Sequence, residues 1–322
     1  MHPQHTAFLF PGQGSQFVGM GRELAEAYPA ARDVFKQADE ILGFSLSQLA
    51  WEGPEARLND TLNTQPALLV HSVAALRVLL AMFRAGSLFP PDFQPAFVAG
   101  HSMGELSALV ASEALPFADA LKLARRRGEL MKQAGEISPG GMAAILGLDI
   151  ATLDQICSQA SSGGEIVQVA NDNCPGQIVI SGDQSAIERA MSLAKEAQAR
   201  KVVRLAVSIA AHSPRMTHAQ AGFNWAIDAA PIQRPRLPIV GNVNAAHLAT
   251  AKDIRADLRA QLTSCVRWTE SIHFMHTQGV DTFIELGSGN VLCGLLKRID
   301  RKARCFALGK PDDFAKLRKL VS

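Results

Sequence analysis

The sequence predicts an α/β fold, with a large domain built on a mostly parallel sheet and a smaller unit inserted into it. Three observations predict this. Short apolar runs alternate with helical stretches along most of the 322 residues, the pattern of a parallel sheet covered by helices on both faces. The run Ala96-Phe97-Val98-Ala99 ends at Gly100-His101-Ser102-Met103-Gly104, and a strong helix former, 105–111, follows at once. Residues 142–207 keep a different rhythm: strand, helix, strand, strand, helix, strand. That βαββαβ order is the ferredoxin-like pattern.

The elements follow in order. Residues 6–10 read as a first buried strand, ending in the Gly-rich turn Pro11-Gly12-Gln13-Gly14-Ser15-Gln16; such strand ends in α/β proteins often line a site. Stretches 19–28 and 31–42 read as helices. Pro66, after Asn63-Thr64-Gln65, marks a helix start with proline at the first helical position, and the helix runs to Arg84. A loop at 86–95 with three prolines leads into the strand before Ser102. In the small unit, strands are expected at 142–148, 166–171, 177–181 and 201–207, with helices at 151–161 and 184–199. Gly140-Gly141 forms a hinge before it. The domains are therefore expected as 1–139 plus 208–322, with 140–207 as the subdomain. After a helix from His212 to about Ala230, strands at 237–240 and 282–286 resume the large sheet; Gly287-Ser288-Gly289-Asn290 opens a helix at 291–299, and 305–308 is the last strand.

Composition excludes several classes of function. Hydrophobic residues make up 48% of the chain and charged residues 19%, an ordinary globular balance. Net charge is +2, so no global field favours nucleic acid or a membrane surface. Aromatic residues are 6%, with one tyrosine, too few for a base-stacking surface. The longest apolar stretch, 66–83, contains His71 and Arg77 and reads as a core helix rather than a membrane span. The start, Met1-His2-Pro3-Gln4-His5, lacks the pattern of a signal peptide. The five cysteines are scattered with no C-x-x-C, which predicts reduced thiols in a cytoplasmic protein and no zinc site.

Gly100-His101-Ser102-Met103-Gly104 is a G-x-S-x-G turn between strand and helix, the nucleophile elbow, in which a serine hydroxyl stands exposed at a sharp turn. Such a serine needs a base, an oxyanion hole and a means of selecting the acyl group. Of the nine histidines, His212 is the candidate base, because Ser208-Ile209-Ala210-Ala211-His212-Ser213-Pro214 is an irregular segment at the subdomain junction; a structural histidine is the alternative. Backbone N–H groups of Met103 and of the Gly-flanked Gln13 are candidate oxyanion donors, each typically worth ~3 kcal/mol in a transition state. The Gln13 turn also reads as a plain tight turn. In the helix 120–134, Arg127 falls on the apolar face with Ala124 and Met131, while Arg125 and Arg126 fall on the solvated face. An inward guanidinium calls for an anionic partner, either a buried salt bridge or a substrate carboxylate held by a bidentate clamp.

Together these blocks resemble the malonyl-CoA:acyl carrier protein transacylase family, which includes acyltransferase domains of polyketide synthases. The resemblance runs from about Phe8 to Leu308. It rests on Phe10-Pro11-Gly12-Gln13-Gly14-Ser15-Gln16, Asn63-Thr64-Gln65-Pro66-Ala67-Leu68, the elbow, Arg127-Gly128, Asn173-x-Pro175-Gly176-Gln177, His212-Ser213 and Gly287-x-Gly289, in the family's order. It implies an α/β-hydrolase-like large domain with a ferredoxin-like insertion. It also implies that Ser102 is acylated with His212 as its base, and that the main-chain carbonyl of Gln261 orients His212. By the same resemblance, Gln13 and Met103 form the oxyanion hole, Arg127 binds the malonyl carboxylate, and Gln65, Asn173 and Met131 line the substrate site.

The implied activity is ping-pong malonyl transfer from malonyl-CoA to an acidic acyl carrier protein for fatty acid synthesis. No metal or resident cofactor is implied; phosphopantetheine arrives on the partner. A monomer is expected. Carriers of polyketide synthesis or malonate decarboxylation are alternative acceptors. Ala211 is small and leaves room for a branched acyl group, whereas Met103 is compatible with malonyl. A serine thioesterase or esterase would explain Ser102 and His212 but not Arg127 in an apolar stripe. A catalytically dead carrier-binding module would not need all three.

Overall fold

The computed structural model describes residues 2–86 and 93–321. Part of the proline-rich loop, 87–92, therefore lies outside the described residues. In chain order the strands are β1 (Thr6–Phe10), β2 (Phe97–Gly100), β3 (Gly141–Leu146), β4 (Val167–Cys174), β5 (Gln177–Gly182), β6 (Lys201–Arg204), β7 (Ile239–Val240), β8 (His247–Leu248), β9 (Val266–Arg267), β10 (Thr282–Leu286) and β11 (Arg304–Leu308).

The larger sheet has six strands in the order β11-β10-β1-β2-β7-β8. Every pair in it is parallel except β7 with β8. β1, β2 and β10 are buried along their whole length, as strands covered on both faces must be. β1 stands between β2 and β10, so the turn after β1 and the elbow after β2 leave neighbouring strand ends on the same edge of the sheet. That edge is where open α/β sheets carry their ligands.

The second sheet runs β6-β3-β5-β4-β9. Residues 141–204 supply its first four strands and two helices, Ile150–Ala160 and Gln184–Glu196, in βαββαβ sequence. β3 alternates buried and half-buried positions, the signature of a sheet covered on one face. β9, from the later chain, pairs in parallel with β4 at Asn171 and Asp172. β6 stops at Arg204 instead of reaching 207; its edge position gives it a single neighbour, β3, whose pairing ends at Ala143 with Arg204.

The helix containing Pro66 begins earlier than the sequence predicts. It spans Thr61–Arg84, with Asp60 accepting the Leu62 N–H as its cap. Pro66 thus lies inside the helix and leaves the Leu62 carbonyl without its usual amide donor. The guanidinium of Arg125 takes that place at 3.1 Å. Arg125 also donates to Asn63 Oδ1 and lies over the Phe44 ring, so it is a packing residue and not part of a free solvated face. By length and composition Thr61–Arg84 could cross a membrane, yet 78% of its most apolar stretch is buried within the chain's own core.

The cysteines also depart from expectation. Cys293 and Cys305 form a disulfide, while Cys157, Cys174 and Cys265 are free. The helix Val291–Ile299 leaves the end of β10 and returns by a short connection to the adjacent β11. This brings the two Cα atoms to 5.4 Å, inside the range a disulfide spans. Scattered spacing carries no signal of that return.

Candidate active site

The turn after β2 holds Ser102 at φ 51°, a left-handed backbone that a serine adopts only where its surroundings impose it. The cause is visible on both sides. A Cβ on Gly100 would stand 2.0 Å from the Gly104 carbonyl carbon, and one on Gly104 would stand 2.2 Å from the Phe10 carbonyl oxygen. Only glycines allow β2, the turn and the helix Gly104–Ala111 to close so sharply. From below, Asn242 pins the turn: its Oδ1 accepts the Ser102 N–H at 2.7 Å, and its Nδ2 donates to the Gly100 carbonyl at 2.8 Å.

His212 reaches Ser102 from the irregular segment after β6, itself at φ 59°. Its Nε2 lies 2.8 Å from Ser102 Oγ, and its Nδ1 lies 2.8 Å from the Gln261 carbonyl oxygen. A carbonyl only accepts, so Nδ1 carries the proton and the Nε2 lone pair faces the serine hydroxyl. Gln168 of β4 donates to the His212 carbonyl at 2.8 Å and to Thr263 O at 3.1 Å, tying the second sheet to this residue. Burial, reinforced by the nearby Arg127 charge, pushes the imidazole down to about 3. His212 is therefore neutral at pH 7, the form that can take a proton.

Arg127 projects from the helix Phe117–Ile137, which packs on Thr61–Arg84 so closely at Gly128 that a Cβ there would meet Leu62 Cα at 2.7 Å. Arg127 is 2% exposed. Nη1 donates to Gln65 Oε1 at 2.9 Å; Nη2 donates to Gln261 Oε1 at 2.9 Å and to Ser102 Oγ at 3.2 Å. Nε has no partner among the described residues. All three acceptors are neutral, so the buried salt bridge that the sequence left open is absent among the described residues. Burial lowers this guanidinium to about 10, with Glu105 opposing the shift, and it stays charged at pH 7.

The remaining predicted residues divide. Gln65 donates to Thr61 Oγ1 at 3.0 Å and to Met131 Sδ at 3.4 Å, and Thr61 in turn donates to Gln13 Oε1 at 3.0 Å. Arg127, Gln65, Met131, Thr61 and Gln13 thus form one connected set. The Gln13 turn lies against the elbow, since a Cβ on Gly12 would stand 2.4 Å from the His101 carbonyl oxygen. Among the described residues, neither the Met103 nor the Gln13 N–H has an acceptor. Asn173 bonds His101 Nε2 at 2.8 Å rather than Ser102 or Arg127.

Sequence reasoning missed Asn242, Gln168, Asp257 and Glu105. Glu105 is the first acidic residue of the helix after the elbow, and it is fully buried. Among the described residues, one cluster could bring three metal ligands together: Glu285, Cys293 and Cys305. There the thiols are bonded to each other, and the Glu285 oxygens accept the Leu292 and Cys293 N–H groups.

Comparison with known proteins identifies the family. The acyl transferase domain family matches residues 7–305. The malonyl CoA-acyl carrier protein transacylase of Bacillus subtilis (strain 168) is 45% identical over 306 residues, covering 95% of this chain and 94% of its own. The solved malonyl-CoA:acyl carrier protein transacylase of Xanthomonas oryzae pv. oryzae superimposes with a TM-score of 0.92 at 40% identity, over 100% of both chains. A structure of a type II PKS acyl-carrier protein in complex with its malonyl-transacylase matches with a TM-score of 0.91 at 38% identity, over 98% of this chain and 99% of that one. With family model, sequence and fold in agreement over nearly its whole length, the chain belongs to the malonyl-CoA:acyl carrier protein transacylase family and is an acyltransferase.

Proposed function

We propose that this chain moves a malonyl group from malonyl-CoA to the phosphopantetheine thiol of an acyl carrier protein through an ester on Ser102. The observation that carries the reading is Arg127, a buried cation 3.2 Å from the Ser102 hydroxyl with only neutral acceptors. A malonyl carboxylate supplies the missing charge, and the fork geometry of the guanidinium suits a carboxylate. An acetyl group would leave the cation buried and unpaired, so the same residue rejects it.

The steps follow from the hydrogen bonds. His212 Nε2 takes the Ser102 proton as Oγ attacks the thioester carbonyl. The oxyanion is met by the N–H groups of Met103 and Gln13. The carbon–sulfur bond breaks and His212 returns the proton to the leaving coenzyme A sulfur. The carrier thiol then gives its proton to His212 and attacks the ester; Ser102 recovers the proton as the ester carbon–oxygen bond breaks. The imidazolium formed in each step is oriented by the Gln261 carbonyl rather than paired with a carboxylate.

The reading takes 1–139 and 208–322 as the large domain and 140–207 as a small subdomain, whose Gln168 and Asn173 reach His212 and His101. It needs no resident cofactor or metal, uses an acidic carrier in the cytoplasm, and asks only for a monomer. Fatty acid synthesis is the pathway it supplies.

The test is intact-protein mass spectrometry after brief mixing with malonyl-CoA, methylmalonyl-CoA or acetyl-CoA, then with holo carrier proteins of fatty acid and polyketide type. A malonyl adduct that discharges to a carrier thiol and is absent in Ser102→Ala supports the reading. An adduct lost equally fast to water without carrier makes the chain a hydrolase.

A further inference from the structure

Beneath Ser102 and Arg127 lies a second layer of polar groups whose chemistry the transfer mechanism does not use. Glu105, fully buried, stands at its centre. One of its oxygens, Oε2, accepts from Asn242 Nδ2 at 2.5 Å and from Gln261 Nε2 at 2.8 Å. Asn242 holds the Ser102 N–H at 2.7 Å. Gln261 holds Arg127 through its side-chain oxygen and His212 through its carbonyl oxygen. One carboxyl oxygen therefore fixes the two side chains that hold Ser102 and Arg127, and one of them belongs to the residue whose main-chain carbonyl orients His212.

The other oxygen, Oε1, is buried and has no nitrogen or hydroxyl partner. The carboxyl group of Asp257, from the helix Ala251–Gln261, meets that of Glu105 beside Asn242, which donates to both, and the two carboxyls share a hydrogen bond. Asp257 accepts the Asn242 N–H at 3.3 Å and the Val243 N–H at 3.2 Å. Two buried carboxyl groups in contact cannot both be ionised, and one proton between them satisfies both. Asp257 already accepts backbone donors and is the better anion, so the proton belongs on Glu105 Oε1. The same direction follows from burial and the Asp257 charge, which raise Glu105 well above the ordinary carboxylate range.

We propose that Glu105 is a positioning residue that works as a neutral carboxylic acid: it donates to Asp257, accepts from Asn242 and Gln261, and leaves the Arg127 charge free for the acyl carboxylate. The inference rests on the malonyl reading in its last clause only. An ionised Glu105 so close to Arg127 would act as a resident counter-ion and weaken the site's demand for a carboxylate on the substrate.

Glutamine has nearly the shape of a protonated glutamate: its amide oxygen can accept where Oε2 does, and one N–H of its NH2 group can stand in for the O–H. Glu105→Gln is therefore expected to keep malonyl transfer, and its preference over acetyl, within about threefold of the wild type. Glu105→Ala removes the acceptor of both amides. It is expected to lower kcat/KM for malonyl-CoA by about 100-fold or more and to erode the acyl preference as well, because Gln261 and Asn242 lose their orientation together. A merely structural Glu105 would lower the melting temperature of Glu105→Ala without moving the ratio of malonyl to acetyl transfer.

A second readout is independent of activity and of the folding of the alanine variant. The infrared difference spectrum of wild type minus Glu105→Gln at pH 7 is expected to contain the C=O stretch of a protonated carboxylic acid. A carboxylate band in its place, or a folded Glu105→Gln that loses about 100-fold in malonyl transfer, overturns the proposal. A wild-type protein without malonyl preference would sink the malonyl reading, while the infrared band would still decide the state of Glu105.

Discussion

Arg127 donates to the Ser102 hydroxyl from 3.2 Å and has no carboxylate partner among the described residues. A buried cation placed beside a nucleophile asks the substrate for an anion. Arg127→Ala is expected to lower kcat/KM for malonyl-CoA by about 100-fold or more, the worth of ~3 kcal/mol in charge-assisted hydrogen bonds. Acetyl-CoA should lose far less, so the ratio of the two moves towards acetyl. Arg127→Lys restores the charge but not the fork and should recover only part of the loss. Steady-state kinetics with both thioesters and a common carrier measure this; an unchanged ratio in Arg127→Ala would return the residue to a structural role.

The parts of this site that were legible in the sequence are those set by local geometry. Ser102 declares itself because a G-x-S-x-G turn between strand and helix needs those glycines, and Arg127 because it breaks an apolar helical face. The positions of Asn242, Glu105 and Asp257 were not legible. Asn242 meets Ser102 across 140 residues of sequence, and Glu105 looks like any first-turn acid that favours a helix N-terminus. Its burial is a property of the assembled sheet. The Cys293–Cys305 pair was hidden for the same reason, since strand adjacency and not spacing joins it. The start of the helix at Thr61 was misplaced because proline is ordinarily read as a first-turn residue, and the compensating donor, Arg125, comes from another helix.

His212 gives a pH prediction with a definite sign. Burial holds its folded pKa at about 3 against the ordinary 6.5. The neutral base persists as pH falls, so kcat/KM for acylation should stay flat from pH 8 to about 5 instead of bending near 6.5. Stability pays the opposite way. Below pH 6.5 the unfolded chain binds a proton that the folded chain refuses, so stability falls as pH drops towards the folded value. The loss from this group amounts to about 3 kcal/mol between pH 7 and pH 4. Urea unfolding of wild type and His212→Ala across that range checks it: the variant should lose less on acidification.

Gly128 sets the distance between Arg127 and the rest of the site. Alanine would gain about 1 kcal/mol of helix propensity. Its Cβ would stand 2.7 Å from both Leu62 Cα and the Thr61 carbonyl oxygen, and backbone atoms cannot step aside as a flexible side chain can. Overpacking of this kind costs about 1–3 kcal/mol and wins. Gly128→Ala should therefore be destabilised in urea titrations, and its KM for malonyl-CoA should rise as the two helices move apart and carry Arg127 away from Ser102. A variant of unchanged stability and KM would show that the helices tolerate the shift.

Pro66 and Arg125 form a pair that a double-mutant cycle can resolve. Pro66 leaves the Leu62 carbonyl without an amide donor, and Arg125 Nη1 supplies one at 3.1 Å. Arg125→Met keeps much of the stem's packing but strands that carbonyl, at a cost of about 1–3 kcal/mol. Pro66→Ala restores an amide N–H one turn after Leu62, so the helix can satisfy its own carbonyl. In that background Arg125→Met should cost less, and the difference, about 1 kcal/mol, is the coupling between the two residues. Asn63, Glu129 and Phe44 also touch Arg125, but their contributions are common to both arms and cancel in the cycle. Equal costs in the two backgrounds would mean that Arg125 holds the helix through those contacts and not through the carbonyl that proline sets free.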